Sequence, residues 1–209
     1  MTKDHWENYY QNQHGATPPP SQFAAFIAAE YGNNTQIFDL GCGNGRDTVF
    51  FSQYSSNVIG VDGSEAAVHA ASALTDRLGR QARFIHALVE DERLPQKLTE
   101  HKQSDMPVIL YSRFFLHAIT AEQEQEFFNI VTALCSCPGD IVALEFRTIR
   151  DRDLPKVTSA HYRRYIDPIS VITAGCKIGL TVEYFVEGFG YAKYKNDDAY
   201  VARVIFKRP

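Results

Sequence analysis

Residues 37–48 read IFDLGCGNGRDT: an apolar run holding one aspartate, three glycines at alternate positions, then an arginine. Glycine lets a backbone take positive φ and approach another group closely. Three readings compete for such a turn: a nucleotide-binding loop, a dinucleotide fingerprint, and an ordinary tight turn. The dinucleotide fingerprint needs G-x-G-x-x-G. Here Gly41, Gly43 and Gly45 place the third glycine one residue early. Asp39, inside the strand end, repels a pyrophosphate and suits a ligand that carries positive charge.

Working outward, strands alternate with helices. QIFDL reads as a strand, RDTVFFSQY as a helix and NVIGVD as a strand. SEAAVHAASALTDRLG is a helix with Ser64 as cap and Gly79 as terminator. ARFIHAL, MPVILYS and DIVALEFR are further strands, separated by ERLPQKLTEHK, a helix disturbed by Pro95, and by the helix AEQEQEFFNIVTALC. After an irregular charged segment, 148–167, come the helix DPISVITAGCKIGL and the strands TVEYFVEGFG and AYVARVIFKR. Alternation of this kind predicts a mostly parallel sheet covered on both faces. The connection YAKYKNDD is too short for a parallel crossover, so the last strand is expected to run antiparallel. The expected fold is therefore α/β: a Rossmann-like three-layer sandwich around a seven-stranded, mostly parallel sheet. No internal repeat appears.

The 209 residues suit one generous domain, 21–209, preceded by a segment, 1–20, that ends in Pro18-Pro19-Pro20. Ser21 reads as the N-cap of SQFAAFIAAEY. Hydrophobic residues at 44% and charged residues at 22% argue against disorder. A net charge of -4 gives no reason to expect a nucleic-acid or membrane binder. Cys42, Cys135, Cys137 and Cys176 lack zinc or redox spacing and point to reduced thiols in a cytoplasmic protein. MTKDHWENYY lacks the apolar core of a signal peptide. No apolar run approaches the roughly 20 residues that span a bilayer, so no membrane insertion is expected.

In open α/β sheets ligands bind beyond the carboxyl ends of the strands, where strand order reverses. IFDLGCGNG is expected there, with the next helix pointing amides at the same spot. NVIGVD ends in Asp62, about 20 residues past the glycines, where a carboxylate can accept two hydrogen bonds from a ribose diol. The pocket thus asks for a ribose and a cationic group.

DLGCGNG followed by GVDGS resembles the class I S-adenosylmethionine-dependent methyltransferases, over most of the chain. The resemblance implies S-adenosylmethionine as cofactor, S-adenosylhomocysteine as product, and roles for particular residues. Asp62 would hold the ribose hydroxyls, beside Gly63. Gly41, Cys42 and Gly43 would meet the methionine part, Asp39 would balance its ammonium, and Arg46 its carboxylate. Arg113, at the fourth strand's end, joins the cofactor set. Many members carry an acid at the end of the third strand for adenine; here His86 and Ala87 stand there, with Glu90 and Asp91 later, so backbone near Leu88 is the expected contact.

Acceptor chemistry falls to the segments beyond the fourth and fifth strands. YSRFFLHAI lacks the Asp/Asn-Pro-Pro-aromatic tetrad of nucleic-acid N-methyltransferases. Arg113 and His117, four residues apart, share a face if that turn is helical. His117 reads either as a general base or as a histidine satisfied by the core. EFRTIRDRDLPKVTSAHYRRYIDP gathers Arg147, Arg150, Arg152, Arg163 and Arg164 with Lys156, His161 and Tyr162. That is either a solvated loop or a site for phosphate or carboxylate, which arginine clusters grip in a bidentate way. EFRTIRDRD, HYRRYI and the chain ends also resemble a bacterial group found with surface-polysaccharide and natural-product pathways, some of which methylate a phosphate or hydroxyl. The resemblance implies O-methylation of a small anionic or glycan-linked acceptor. A phosphate needs arginines and no base; a sugar hydroxyl needs His117 or His161. Trp6, Tyr9 and Tyr10 read as a lid over the sulfonium or as packing residues; adjacent tyrosines cannot both face inward. The competing functions are a non-catalytic cofactor-binding module and a dehydrogenase, the latter disfavoured by the glycine spacing and Asp39. Asp140, Asp167 and His161 form no recognisable metal set.

Overall fold

The computed structural model describes residues 2–12, 19–156 and 161–209. Among them, seven strands form one sheet: β1 (Gln36–Leu40), β2 (Val58–Asp62), β3 (Arg83–His86), β4 (Val108–Arg113), β5 (Ile141–Arg147), β6 (Thr181–Gly188) and β7 (Val201–Lys207). Their order is β3-β2-β1-β4-β5-β7-β6. β1 lies parallel to both β2 and β4, so the order reverses at β1, just where the glycine loop begins. β7 runs antiparallel between β5 and β6. Pro18 of the proline run lies outside the described residues.

The helices are α1 (Thr2–Gln11), α2 (Gln22–Tyr31), α3 (Arg46–Phe51), α4 (Glu65–Arg77), α5 (Leu94–Glu100), α6 (Ala121–Leu134) and α7 (Pro168–Lys177). Local chemistry explains their starts. Ser21 and Ser64 each accept the N–H of the third helical residue. Thr120 and Gln123 form a reciprocal capping box on α6. Asp167 caps α7, with Pro168 at its first position. Pro95 also lies in the first turn of α5, so it opens that helix and does not disturb it. α3 is shorter than expected and ends at Phe51, with Gln53 and Tyr54 in the turn beyond.

Strand alternation sorts the core into two layers. Phe38, Leu40, Leu110 and Leu144 pack with α5, α6 and α7 on one face. Ile37, Ile109 and Ala143 pack with Phe23 and Ile27 of α2 and Phe51 of α3 on the other. β1 is buried at every residue, which accounts for its near-continuous apolar run. Alternation also sends Asp39 to the α3 side, where Thr48 donates a 2.6 Å hydrogen bond to its carboxyl group.

One buried carboxylate ties the pieces around the loop. Asp47, in the first turn of α3, accepts the Ser21 N–H at 2.8 Å, the Ser21 hydroxyl at 2.7 Å and the Tyr111 hydroxyl at 3.0 Å. Arg46 Nε donates to it at 3.0 Å. Burial pushes its carboxyl up, but Arg46, Arg113 and the Ser21 hydroxyl together hold it below its ordinary value. Removing the carboxylate strands the Ser21 N–H and one of two buried hydroxyls, since those of Ser21 and Tyr111 lie 3.1 Å apart and can bond each other. Asp47→Ala is therefore expected to cost about 3 kcal/mol in chemical denaturation. Because the folded group titrates low, the stability it gives is present above the ordinary aspartate range and is lost as pH falls through the folded value.

Candidate functional site

A cavity of about 1090 Å³ opens at the carboxyl ends of β1, β2, β4 and β5. That exceeds the usual space for one small ligand and leaves room for two. Every catalytic or cofactor-binding candidate lines it: Tyr9, Asp39, Gly41, Cys42, Gly43, Arg46, Asp62, Gly63, Leu88, Arg113, His117, Arg147, His161 and Arg163.

The β1–β2 end is built from the glycine loop. Gly41 and Gly43 have φ of +78° and +55°, so side chains there would be strained. They would also clash: a Cβ on Gly41 would sit 2.4 Å from the Phe115 ring, and one on Gly43 2.3 Å from the Tyr10 hydroxyl. Asp62 is held by backbone. Its two oxygens accept the N–H groups of Gly43 at 2.8 Å and Ser64 at 2.9 Å, which leaves further lone pairs for a diol. Cys42 is a thiol whose pKa burial pushes well above the ordinary value, so it stays protonated near neutral pH. Leu88 packs beside Gly63, where a Cβ would meet it at 2.8 Å. His86 sits outside the cavity wall, within 3.2 Å of the Gly63 carbonyl.

The first helix closes this end. Glu7 of α1 accepts the Ser64 hydroxyl at 2.7 Å and the Ala66 N–H at 3.2 Å, so it reinforces the N-terminus of α4. Between the adjacent tyrosines, it is Tyr10 that meets the glycine loop; Tyr9 lies at the rim, 41% exposed. Trp6 packs edge-on to Tyr9 and to His161, and His5 stacks on His161 with ring centroids 4.6 Å apart.

The β4–β5 end carries the cationic groups, though fewer than the sequence suggests. Arg113 and His117 do not share a helical face. Phe114 between them has φ of +58°, and only Leu116–Ala118 make a short 3-10 turn. They still reach the same cavity. Arg113 pairs with buried Glu145 at 2.7 Å, and Arg203 of β7 takes the other oxygen at 2.7 Å. Arg147, 3% exposed, pairs with Asp151 at 2.7 Å and Asp197 at 3.0 Å. Arg163 lies 3.1 Å from the His161 ring nitrogen. The rest of the cationic run turns elsewhere. Arg150 is exposed beside Tyr200 and Glu187, Arg164 is bound to Glu124, and Lys156 binds the backbone carbonyls of Asp151 and Leu154. Arg152 and Tyr162 are exposed outside the cavity.

Several lining or supporting residues carry no clear mark in the sequence: Glu7, Asp47, Phe115, Glu145, Tyr194 and Asp197. The last two have a usable topological signal. Val201, which opens β7, pairs with Arg147, which ends β5, so the β6–β7 loop must fall at the carboxyl edge.

Residues 37–137 match a family model described as a methyltransferase domain. The glycine loop and the carboxylate closing β2 lie inside the matched stretch, and the reversed last strand lies beyond it. The chain is similar to the class I S-adenosylmethionine-dependent methyltransferases in motif and fold. Its cofactor is S-adenosylmethionine. A yeast relative, "Probable S-adenosylmethionine-dependent methyltransferase CRG1" of Saccharomyces cerevisiae, is 32% identical over 88 residues, which is 41% of this chain and 30% of that protein. The fold matches an S-adenosylmethionine-dependent methyltransferase of Anabaena variabilis with a TM-score of 0.73 at 18% identity, covering 100% of this chain and 96% of the other. Magnesium protoporphyrin IX methyltransferase ChlM of Synechocystis, solved with bound S-adenosylmethionine, gives 0.65 at 13% identity, covering 100% and 98%. Among the described residues no group of three or more acids, histidines or cysteines could hold a metal, and no helix is long and apolar enough to cross a membrane.

The donor set suits the methyltransferase cofactor. Asp62 matches a ribose, and Arg46 and Asp39 flank the loop where an amino-acid zwitterion would lie. Burial pushes the Asp39 carboxyl up to about 8, with Asp47 and Asp62 adding and Thr48 and Arg46 opposing. An ammonium beside it favours the charged form. Cofactor binding at pH 7 is therefore expected to release a proton, read by calorimetry in buffers of different ionisation enthalpy. The unfolded carboxyl ionises near 3.9, so the folded protein loses stability as pH rises from about 4 to about 8. Asp39→Asn is expected to raise the melting temperature at pH 8 while weakening cofactor binding.

Proposed function

We propose that this protein methylates an oxygen of a small anionic acceptor, a phosphate or carboxylate, free or carried on a glycan. One observation carries the reading: the far end of the cavity is walled by Arg113, Arg147, Arg163, His117 and His161, next to the strand ends that flank the cofactor seat. Arg113 and Arg147 are already paired with acids, so they set the field and shape of the wall. Arg163 and His161 stand nearer the lid, where a guanidinium and an imidazole in contact line the same wall and offer N–H groups to an anion.

In this reading Asp62 and Gly63 hold the ribose side of the cofactor, and backbone near Leu88 meets the adenine. Gly41, Cys42 and Gly43 line the methionine part, with Arg46 taking the carboxylate and Asp39 the ammonium. When bound, the cofactor supplies a methyl group on a positively charged sulfur, which an oxyanion can take without losing a proton. The chain's part is then alignment and exclusion of water. In the segment before the domain 21–209, residues 5–10 act as the lid, with Tyr10 against the loop and Trp6, Tyr9 and His5 toward the acceptor end.

The reading is tested by labelled methyl transfer to a panel of phosphorylated, carboxylated and neutral small molecules. Labelling of anionic members is expected; labelling confined to neutral members would overturn it. Arg163→Ala should leave cofactor affinity within about twofold and cut turnover by at least about tenfold, the worth of one charged hydrogen bond. Glu7→Gln removes the charge that seats the lid on α4. Release of S-adenosylhomocysteine, followed by stopped-flow fluorescence of Trp6, should become several-fold faster.

A further inference from the structure

His117 is gripped on one side and open on the other. Its Nδ1 accepts the backbone N–H of Arg147 at 3.1 Å. A ring nitrogen that accepts an N–H carries no proton, so the neutral ring holds its proton on Nε2. The His117 carbonyl accepts the Arg164 N–H at 2.8 Å, which pins the turn, and the Phe114 ring packs against the imidazole at 5.1 Å. Rotating the ring would surrender the Arg147 bond. Nε2 makes no hydrogen bond among the described residues and is not sealed from the cavity that His117 lines.

The charged groups facing the ring are Arg113 from β4, Arg147 from β5, and His161 and Arg163 from the segment before α7. Burial first, and then these neighbours, keep its pKa well below the ordinary histidine value. The nearby acids do not offset them for His117, because Glu145 is shared by Arg113 and Arg203, and Asp197 is bound to Arg147.

We propose that His117 is a donor-only binding residue: its Nε2–H holds a lone-pair oxygen of the methyl acceptor and takes no proton from it. A general base needs a lone pair aimed at the substrate. Here the lone pair at Nδ1 points into the wall, at Arg147. The side chain that sequence alone allows as a base thus becomes a filter. It favours an acceptor oxygen that arrives already ionised and offers nothing to an alcohol that must be deprotonated. This rests on the anionic-acceptor reading and sharpens it.

Nitrogen-15 NMR of the histidine rings tests it, on the whole protein saturated with S-adenosylhomocysteine, with inorganic phosphate as the probe anion. His117 should show the Nε2–H tautomer without titrating from pH 5.5 to 8.5, and phosphate should move its Nε2–H resonance. His117→Gln, which keeps a side-chain N–H at similar reach, should bind phosphate within a few-fold of the parent. His117→Leu should lose about tenfold, the worth of one hydrogen bond. An Nδ1–H tautomer, a titration inside that range, an unmoved resonance, or Gln as weak as Leu would overturn the proposal. Failure of S-adenosylhomocysteine to bind would instead strike the cofactor assignment, and the tautomer would still be read on the protein alone.

Discussion

The Asp47 carboxylate is the constraint on which the site depends. It joins three parts of the chain that are distant in sequence: Ser21 at the start of α2, Tyr111 in β4 and the first turn of α3. The same group holds the guanidinium of Arg46. A buried charge is costly unless its lone pairs are filled, and here every partner is a donor. The residue that follows the lid, the strand beside the acceptor end and the arginine of the cofactor seat are thereby fixed against one another. The glycine loop can then keep its positive φ angles without drifting, since both its flanks are anchored.

Around this anchor the site divides by charge. The β1–β2 side gathers Asp39 and Asp62, with Asp47 close behind, beside Arg46 and Arg77. The acceptor side gathers Arg113, Arg147, Arg163 and two histidines, with Glu145, Asp151 and Asp197 placed behind or beside them. On the proposed reading, the field runs from negative at a cationic donor to positive at an anionic acceptor. Charges of opposite sign at the two ends lower the cost of holding two oppositely charged ligands at contact distance in a dry pocket.

The fold is legible in the sequence because its signals are local or topological. Glycine spacing, caps at Ser21 and Ser64, and a loop too short for a parallel crossover each have a direct structural meaning. The cofactor side is legible for the same reason, since Asp39, Asp62 and the loop lie within one βαβ unit. The acceptor side is harder. Whether an arginine faces a cavity depends on which acid it meets, and Glu145, Asp197 and Glu124 come from other elements. The run at 147–164 reads as one basic patch, yet the chain distributes it among a buried ion-pair network, the surface and the pocket. Pro95 misleads because a proline that opens a helix and one that breaks it differ only in where the first turn falls. His117 shows a further limit: its tautomer depends on one backbone N–H supplied by a neighbouring strand.

The insertion of β7 between β5 and β6 has a consequence for how the two halves of the pocket can change. The cofactor seat is made by β1, β2 and their loops, whereas the acceptor wall draws on β4, β5 and the turn that precedes β7. These groups meet along the β1–β4 seam, through the Tyr111–Asp47 bond, and across α1, which touches both Gly43 and His161. Residues 189–200 can therefore vary in length or charge, reshaping the mouth near Tyr194 and Asp197, without moving a hydrogen bond of the glycine loop. The mouth of the pocket and the glycine loop thus sit on different stretches of one continuous sheet.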